Sequence, residues 1–142
     1  MKKFSFWLWA TVLFQFLTGA IHAIGLFIKP APANDTEKQL INLLDTYHIP
    51  AGMGFNPTFA HLFWALSSCF TMVNLLAAVL NLYLFKKKIS METMRGVIGI
   101  NVIFFGLIFG IMLMFTFLPP IVCTGLVFIS SIGAYFSARS KE

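Results

Sequence analysis

From Phe59 to Phe85 the chain runs without one charged side chain, and three more stretches do the same: Phe4 to Ile28, Gly96 to Leu118 and Ile121 to Ala138. A helix needs about 20 predominantly apolar residues to cross a bilayer, with about 17 as the lower limit. All four runs are therefore candidate spans, the fourth being the shortest. A chain of 142 residues that is 58% hydrophobic and 11% charged has too little polar surface to clothe a soluble domain. The expected fold is all-α: a four-helix transmembrane bundle forming a single membrane domain over residues 1–142, with an outer loop at 29–58.

The first run has a rival reading. Lys2 and Lys3 ahead of apolar residues resemble a secretory signal, with Thr18-Gly19-Ala20 or Ile21-His22-Ala23 as its cleavage site. The run continues to Ile28 before meeting Lys29 and Pro30, however. That is too long for a typical signal core and long enough to cross, so a retained helix is expected.

The net charge of +5 would suit a nucleic-acid partner if the charges formed a patch. They flank the apolar runs instead, and no nucleic acid is expected. With four crossings, Lys2, Lys3, Lys86, Lys87, Lys88, Arg95, Arg139 and Lys141 fall on one side, and only Lys29 and Lys38 on the other. This bias places both termini in the cytoplasm, in a plasma membrane of the bacterial inner type. The lysines at 86–88 read first as a topology anchor and second as a contact for anionic lipid.

Pro119 and Pro120 stop one helix and start another, because proline lacks an N–H and restrains its predecessor. So short a connection makes the third and fourth spans antiparallel neighbours. In the outer loop, Thr36 to Tyr47 reads as a short amphipathic helix. Thr36 and Gln39 would form a capping box, and Leu40, Leu43, Leu44 and Tyr47 an apolar stripe. Such a helix would lie on the membrane surface or cap the bundle; a lid over an outward-facing pocket is the sharper alternative. Pro50, Gly52, Gly54 and Pro57 then break the chain.

Polar residues inside the runs need partners, and they serve either as interhelix glue or as functional groups. Ser67, Asn74 and Asn81 recur every seven residues on one face of the second span. Asn101 lies at a depth matching Asn81 on the antiparallel third span, so an Asn81–Asn101 hydrogen bond is expected. Small residues allow close helix approach: Gly19 and Ala23 on the first span, Ser130 and Ala134 on the fourth, and Gly106 and Gly110 in a GxxxG spacing on the third, with Gly99 on about the same face. Cys69 and Cys123 fall in apolar runs without CxxC or zinc-type spacing and are expected to be small buried side chains.

The three histidines all fall toward the outer side. His22 sits in the first span within "TGAIHAIGLF", His61 opens the second span, and His48 lies in the loop. Three roles compete. Each imidazole can bond a carbonyl, an asparagine or an interfacial water. His22 and His61 can instead hold a haem iron axially, or join His48 or Met53 around copper or zinc. Lastly, His22 or His61 can act as an acid or base on a lipid-soluble substrate. No Asp or Glu lies in any span to orient an imidazole, and no Ser-His-Asp set, phosphate loop or HExxH occurs.

In layout, with "TGAIHAIG" on the first helix, a polar outer loop ending in "GMGFNP" and "AHLFW" opening the second span, the chain resembles small bacterial four-helix integral membrane proteins. The resemblance covers most of the chain. It implies a four-helix bundle and no particular reaction, because none is assigned to those families. The paired loop cysteines of the disulfide-forming and quinone-reducing four-helix families are missing, as is the intramembrane acid of small multidrug exporters. The leading expectation is a non-enzymatic membrane protein that binds a protein partner, a second copy of itself or a lipid-like ligand. A haem or metal redox protein and a small membrane enzyme acting on a hydrophobic substrate are the alternatives.

Overall fold

The computed structural model describes residues 2–28 and 31–138. Lys29, Arg139 and Lys141, three of the residues behind the expected orientation, lie outside the described residues. Five helices form: α1 (Lys2–Phe27), α2 (Asp35–Thr46), α3 (Phe59–Lys86), α4 (Met91–Phe115) and α5 (Leu118–Ser137). Four of them, all but α2, are long and apolar enough to cross a membrane. No strand is present among the described residues.

The helix ends follow from local chemistry. Ser90 caps α4 by accepting the Thr93 N–H at 3.1 Å, which starts the helix at Met91 rather than near Gly96, where the apolar run begins. At its other end Thr116 turns back onto the Met112 carbonyl, and α5 opens with Pro119 and Pro120 in its first turn, where helical N–H groups have no partner to lose. The start of α2 corrects the expected box. Asn34, not Thr36, is the cap: its Oδ1 accepts the Glu37 N–H at 2.9 Å, while Glu37 accepts the Ala33 N–H at 2.6 Å. The Asn34–Glu37 spacing matches the N-cap-to-N3 reach, and it lies two residues ahead of the Thr36–Gln39 pair.

Helix α1 lies between α3 and α5, and α5 in turn carries α4; α3 and α4 touch only sparsely although a tight turn joins them. Small residues set the close approaches. A Cβ on Gly19 would meet Leu75 and Asn74 at 3.2–3.3 Å, one on Gly106 would come to 2.8 Å from the Phe128 ring, and one on Gly133 would overlap the Trp7 indole. Gly110, the second glycine of the GxxxG pair, has nothing within 4 Å, so only its partner Gly106 seats a neighbouring ring.

The distribution of side chains is the reverse of that in a soluble domain. Thr11, Gln15, Thr18, Thr71, Asn74, Asn81, Thr124, Ser130 and Ser131 are buried, whereas Phe63, Leu66, Met72, Leu76, Phe104 and Leu107 are more than half exposed. Cys69, expected to be buried, is among the outward-facing residues, because α3 turns its short polar side chains inward. A hydrophobic core cluster lies at the end bearing Lys2, Lys3 and Lys86 to Lys88: Phe4, Leu8, Met94, Ile98, Ala134 and Ala138.

Candidate functional site

On α1, Thr11, Gln15, Thr18 and His22 fall at spacings of four, three and four residues, so they form one stripe along the helix. The structure turns this stripe inward against α3. Near the middle, three amides from three helices join: Asn101 Nδ2 donates to Asn81 Oδ1 at 2.9 Å, and Asn81 Nδ2 donates to Gln15 Oε1 at 3.0 Å. The Asn81–Asn101 pair is the one expected from depth. Gln15, which joins it to α1, escaped the sequence reading, although its stripe spacing with Thr11, Thr18 and His22 was the signal for it.

Hydroxyls on α5 make no such demand, because Thr124, Ser130 and Ser131 donate to carbonyls of their own helix at 2.7–2.8 Å. Demand is concentrated on α1 and α3. Gln15 Nε2, Thr71 Oγ1, Asn74 Oδ1 and His22 Nε2 are all buried without a hydrogen-bond partner. They run from mid-helix toward the end of α1 nearest α2. Unpaired polar atoms in a low-dielectric interior cost of order kcal/mol each, so these positions call for a partner from outside the protein.

That end of the molecule holds a cavity of ≈ 330 Å³, walled by α1, α3 and α5. His22 lines it with Thr18, Ser67 and Thr124, and Phe70, Ile21, Phe117 and Pro120 supply apolar wall. The imidazole stands edge-on to Phe70, with ring centroids 4.9 Å apart. Among the described residues no charged side chain is part of the lining. A second cavity of ≈ 340 Å³ shares Gly25, Leu26 and Ser67 with the first and lies under α2, which contributes Ile41, Leu44 and Asp45. Helix α2 thus docks on α3 through Ile41 and Leu44, while Leu40, Leu43 and Tyr47 stay exposed. Of the expected stripe, Leu44 faces inward, and Tyr47, half exposed, stacks on the Phe59 ring of α3 with centroids 6.3 Å apart.

His61 and His48 are placed elsewhere. His61 completes the α3 cap: its N–H goes to Thr58 Oγ1 at 3.3 Å, and its Nδ1 accepts the Thr58 N–H at 3.4 Å. His48 Nδ1 donates to the Asn56 carbonyl at 2.6 Å and pins the loop whose tip, Gly52 to Gly54, has positive φ throughout. Met53 on that tip is fully exposed. Neither His48 nor His61 lines the His22 cavity, and among the described residues no three His, Cys, Asp or Glu are grouped to hold a metal ion.

Cys123 shares the cavity with His22, but no hydrogen bond links thiol to imidazole and no carboxylate stands behind the ring. Ala23 is half-buried on the same helix. Comparison with protein-family models, curated proteins and solved structures yields no match.

Proposed function

We propose that this chain is an integral membrane protein in which α1, α3, α4 and α5 form a transmembrane bundle, with the lysine-bearing end in the cytoplasm, and that it binds a lipid-like ligand in the cavity at the opposite end. The inverted distribution of polar and apolar side chains supports the membrane reading, because in lipid it is the polar groups that must turn inward. The observation that carries the binding reading is the cavity lining, in which His22 stands with Thr18, Ser67 and Thr124, with the His22 Nε2 buried beside it and without a partner among the described residues. An uncharged lining with one imidazole and three hydroxyl side chains selects a neutral, hydrogen-bonding head group on an apolar body. The volume is within the range of roughly 300–1,000 Å³ that small-molecule sites occupy.

A photoreactive monoacylglycerol tests this reading on the whole protein in mild detergent. Labelling should map to the cavity walls and be competed by unlabelled monoacylglycerol. His22→Phe keeps the ring against Phe70 and removes both nitrogens. It should lower labelling about fivefold, the equivalent of one net hydrogen bond of about 1 kcal/mol, without lowering the melting temperature. Equal labelling of the variant, or equal labelling by a photoreactive alkane, overturns the proposal.

A further inference from the structure

The lysine-bearing end carries a second site of different chemistry. A groove of ≈ 640 Å³ lies between the start of α1, the end of α3 and the turn into α4. Its walls are Phe4, Trp9, Leu84, Phe85, Ile89 and Met94, and its charged members are Lys86 and Lys88. Aromatic contacts shape the wall: Phe85 packs against Phe4 and Trp9 with ring centroids 6.4 and 6.3 Å apart. Among the described residues no carboxylate contributes to the lining.

The three lysines of the turn are not equivalent. Lys87 closes α3 and lays its ammonium over the Tyr83 ring, 5.7 Å from the centroid. Lys86 and Lys88 make no ion pair with any described residue, and both are exposed beside the groove. Lys88 also has φ of 51°, the left-handed position just past a helix end where glycine is the usual residue. A side chain there strains the backbone. A topology anchor needs positive charge near this end and is indifferent to which residue of the turn supplies it. A lysine at the strained position of this turn is explained by its place at the rim of an apolar groove.

We infer that this groove binds one anionic phospholipid of the surrounding leaflet, with an acyl chain along Phe4, Trp9 and Phe85 and the phosphate between Lys86 and Lys88. Groove and charge fit the two halves of that molecule and no single-part ligand: a free anion would leave the apolar wall bare, and a neutral lipid would leave two ammonium groups unanswered.

Native mass spectrometry of the full chain, released from mild detergent with phosphatidylglycerol or phosphatidylcholine of the same acyl chains, tests the inference. Phosphatidylglycerol should be retained as a single adduct and phosphatidylcholine should not. Lys86→Gln and Lys88→Gln should each weaken retention about fivefold, as expected for one lysine facing an anionic lipid, and Lys87→Gln should leave it within twofold. Lys88→Gly relieves the strained backbone, so it should melt at a higher temperature than the parent while still losing lipid. That combination separates recognition from folding. Equal retention of phosphatidylcholine, an equal effect of Lys87→Gln, full retention by Lys88→Gly, or displacement of the lipid by excess inorganic phosphate would each overturn the inference.

Discussion

The two ends of this molecule are built from the same four long helices and differ in almost every physical respect. At the lysine end Phe4, Leu8, Met94, Ile98, Ala134 and Ala138 close into a hydrophobic cluster, and the Trp7 indole fills the space left by Gly133. At the end near α2 the axis is occupied by short polar side chains beside cavities of ≈ 330 and ≈ 340 Å³. The lysine end has its own groove of ≈ 640 Å³, walled by apolar side chains and rimmed by lysines, so both ends keep a space and differ in its chemistry. The tight turn between α3 and α4 holds those helices together at the first end only. At the α2 end the space comes with buried polar atoms that lack a partner among the described residues, and a space with a demand for hydrogen bonds describes a binding site.

The contrast can be broken most directly at Gly133. Gly133→Ala drives a methyl group into the Trp7 indole and should cost about 1–3 kcal/mol, typical of overpacking, read as a fall in melting temperature in detergent. The loss should be largely recovered when Trp7→Leu is added. A variant that melts like the parent would show that the lysine end is no tighter than the other. Next in size is Asn81→Leu, at the level where the two ends meet. It removes the donor to Gln15 and the acceptor of Asn101 and should cost about 1–2 kcal/mol. The double variant with Gln15→Leu should lose less than the sum of the two single losses, because the remaining amide is no longer orphaned; strict additivity in thermal unfolding would dissolve the relay. The smallest effect belongs to Gly25→Ala. Its new Cβ meets nothing within 4 Å, so only helix propensity acts, and the protein should gain about 0.5–1 kcal/mol. A loss instead would mean that the cavity beside Gly25 is closed.

Hydropathy made the four long helices legible, since length and lack of charge are properties of composition. It missed where α4 begins, because Met91 to Arg95 are held by the Ser90 cap rather than by apolarity. Rotation about each helix axis was only partly legible. The depth match between Asn81 and Asn101 survives any modest rotation, so that pair could be read without coordinates. The polar stripe on α1 was written in the spacing of Thr11, Gln15, Thr18 and His22, but attention to histidine and asparagine alone passed over the glutamine that links the helices. That His22 and His61 occupy different surroundings was not legible at all. Both lie near the same membrane depth, and which way each ring turns depends on the Thr58 cap and on the packing of α1 against α3. Gly133 was equally hidden, because its meaning lies in a tryptophan more than a hundred residues away.

Helix length has a further consequence. At a rise of 1.5 Å per residue, the 20 residues of α5 span about 30 Å and the 28 residues of α3 about 42 Å. One slab of hydrocarbon about 30 Å thick matches α5 upright and is too thin for α3. In the proposed membrane placement, with α1 packed against both, α3 leans or protrudes more than α5. A thicker bilayer would then strand the ends of α5 in hydrocarbon, and a thinner one would tilt α3 further. Under that proposal membrane thickness is a mechanical input, and the end where α3 and α4 are not tied together is where it would act.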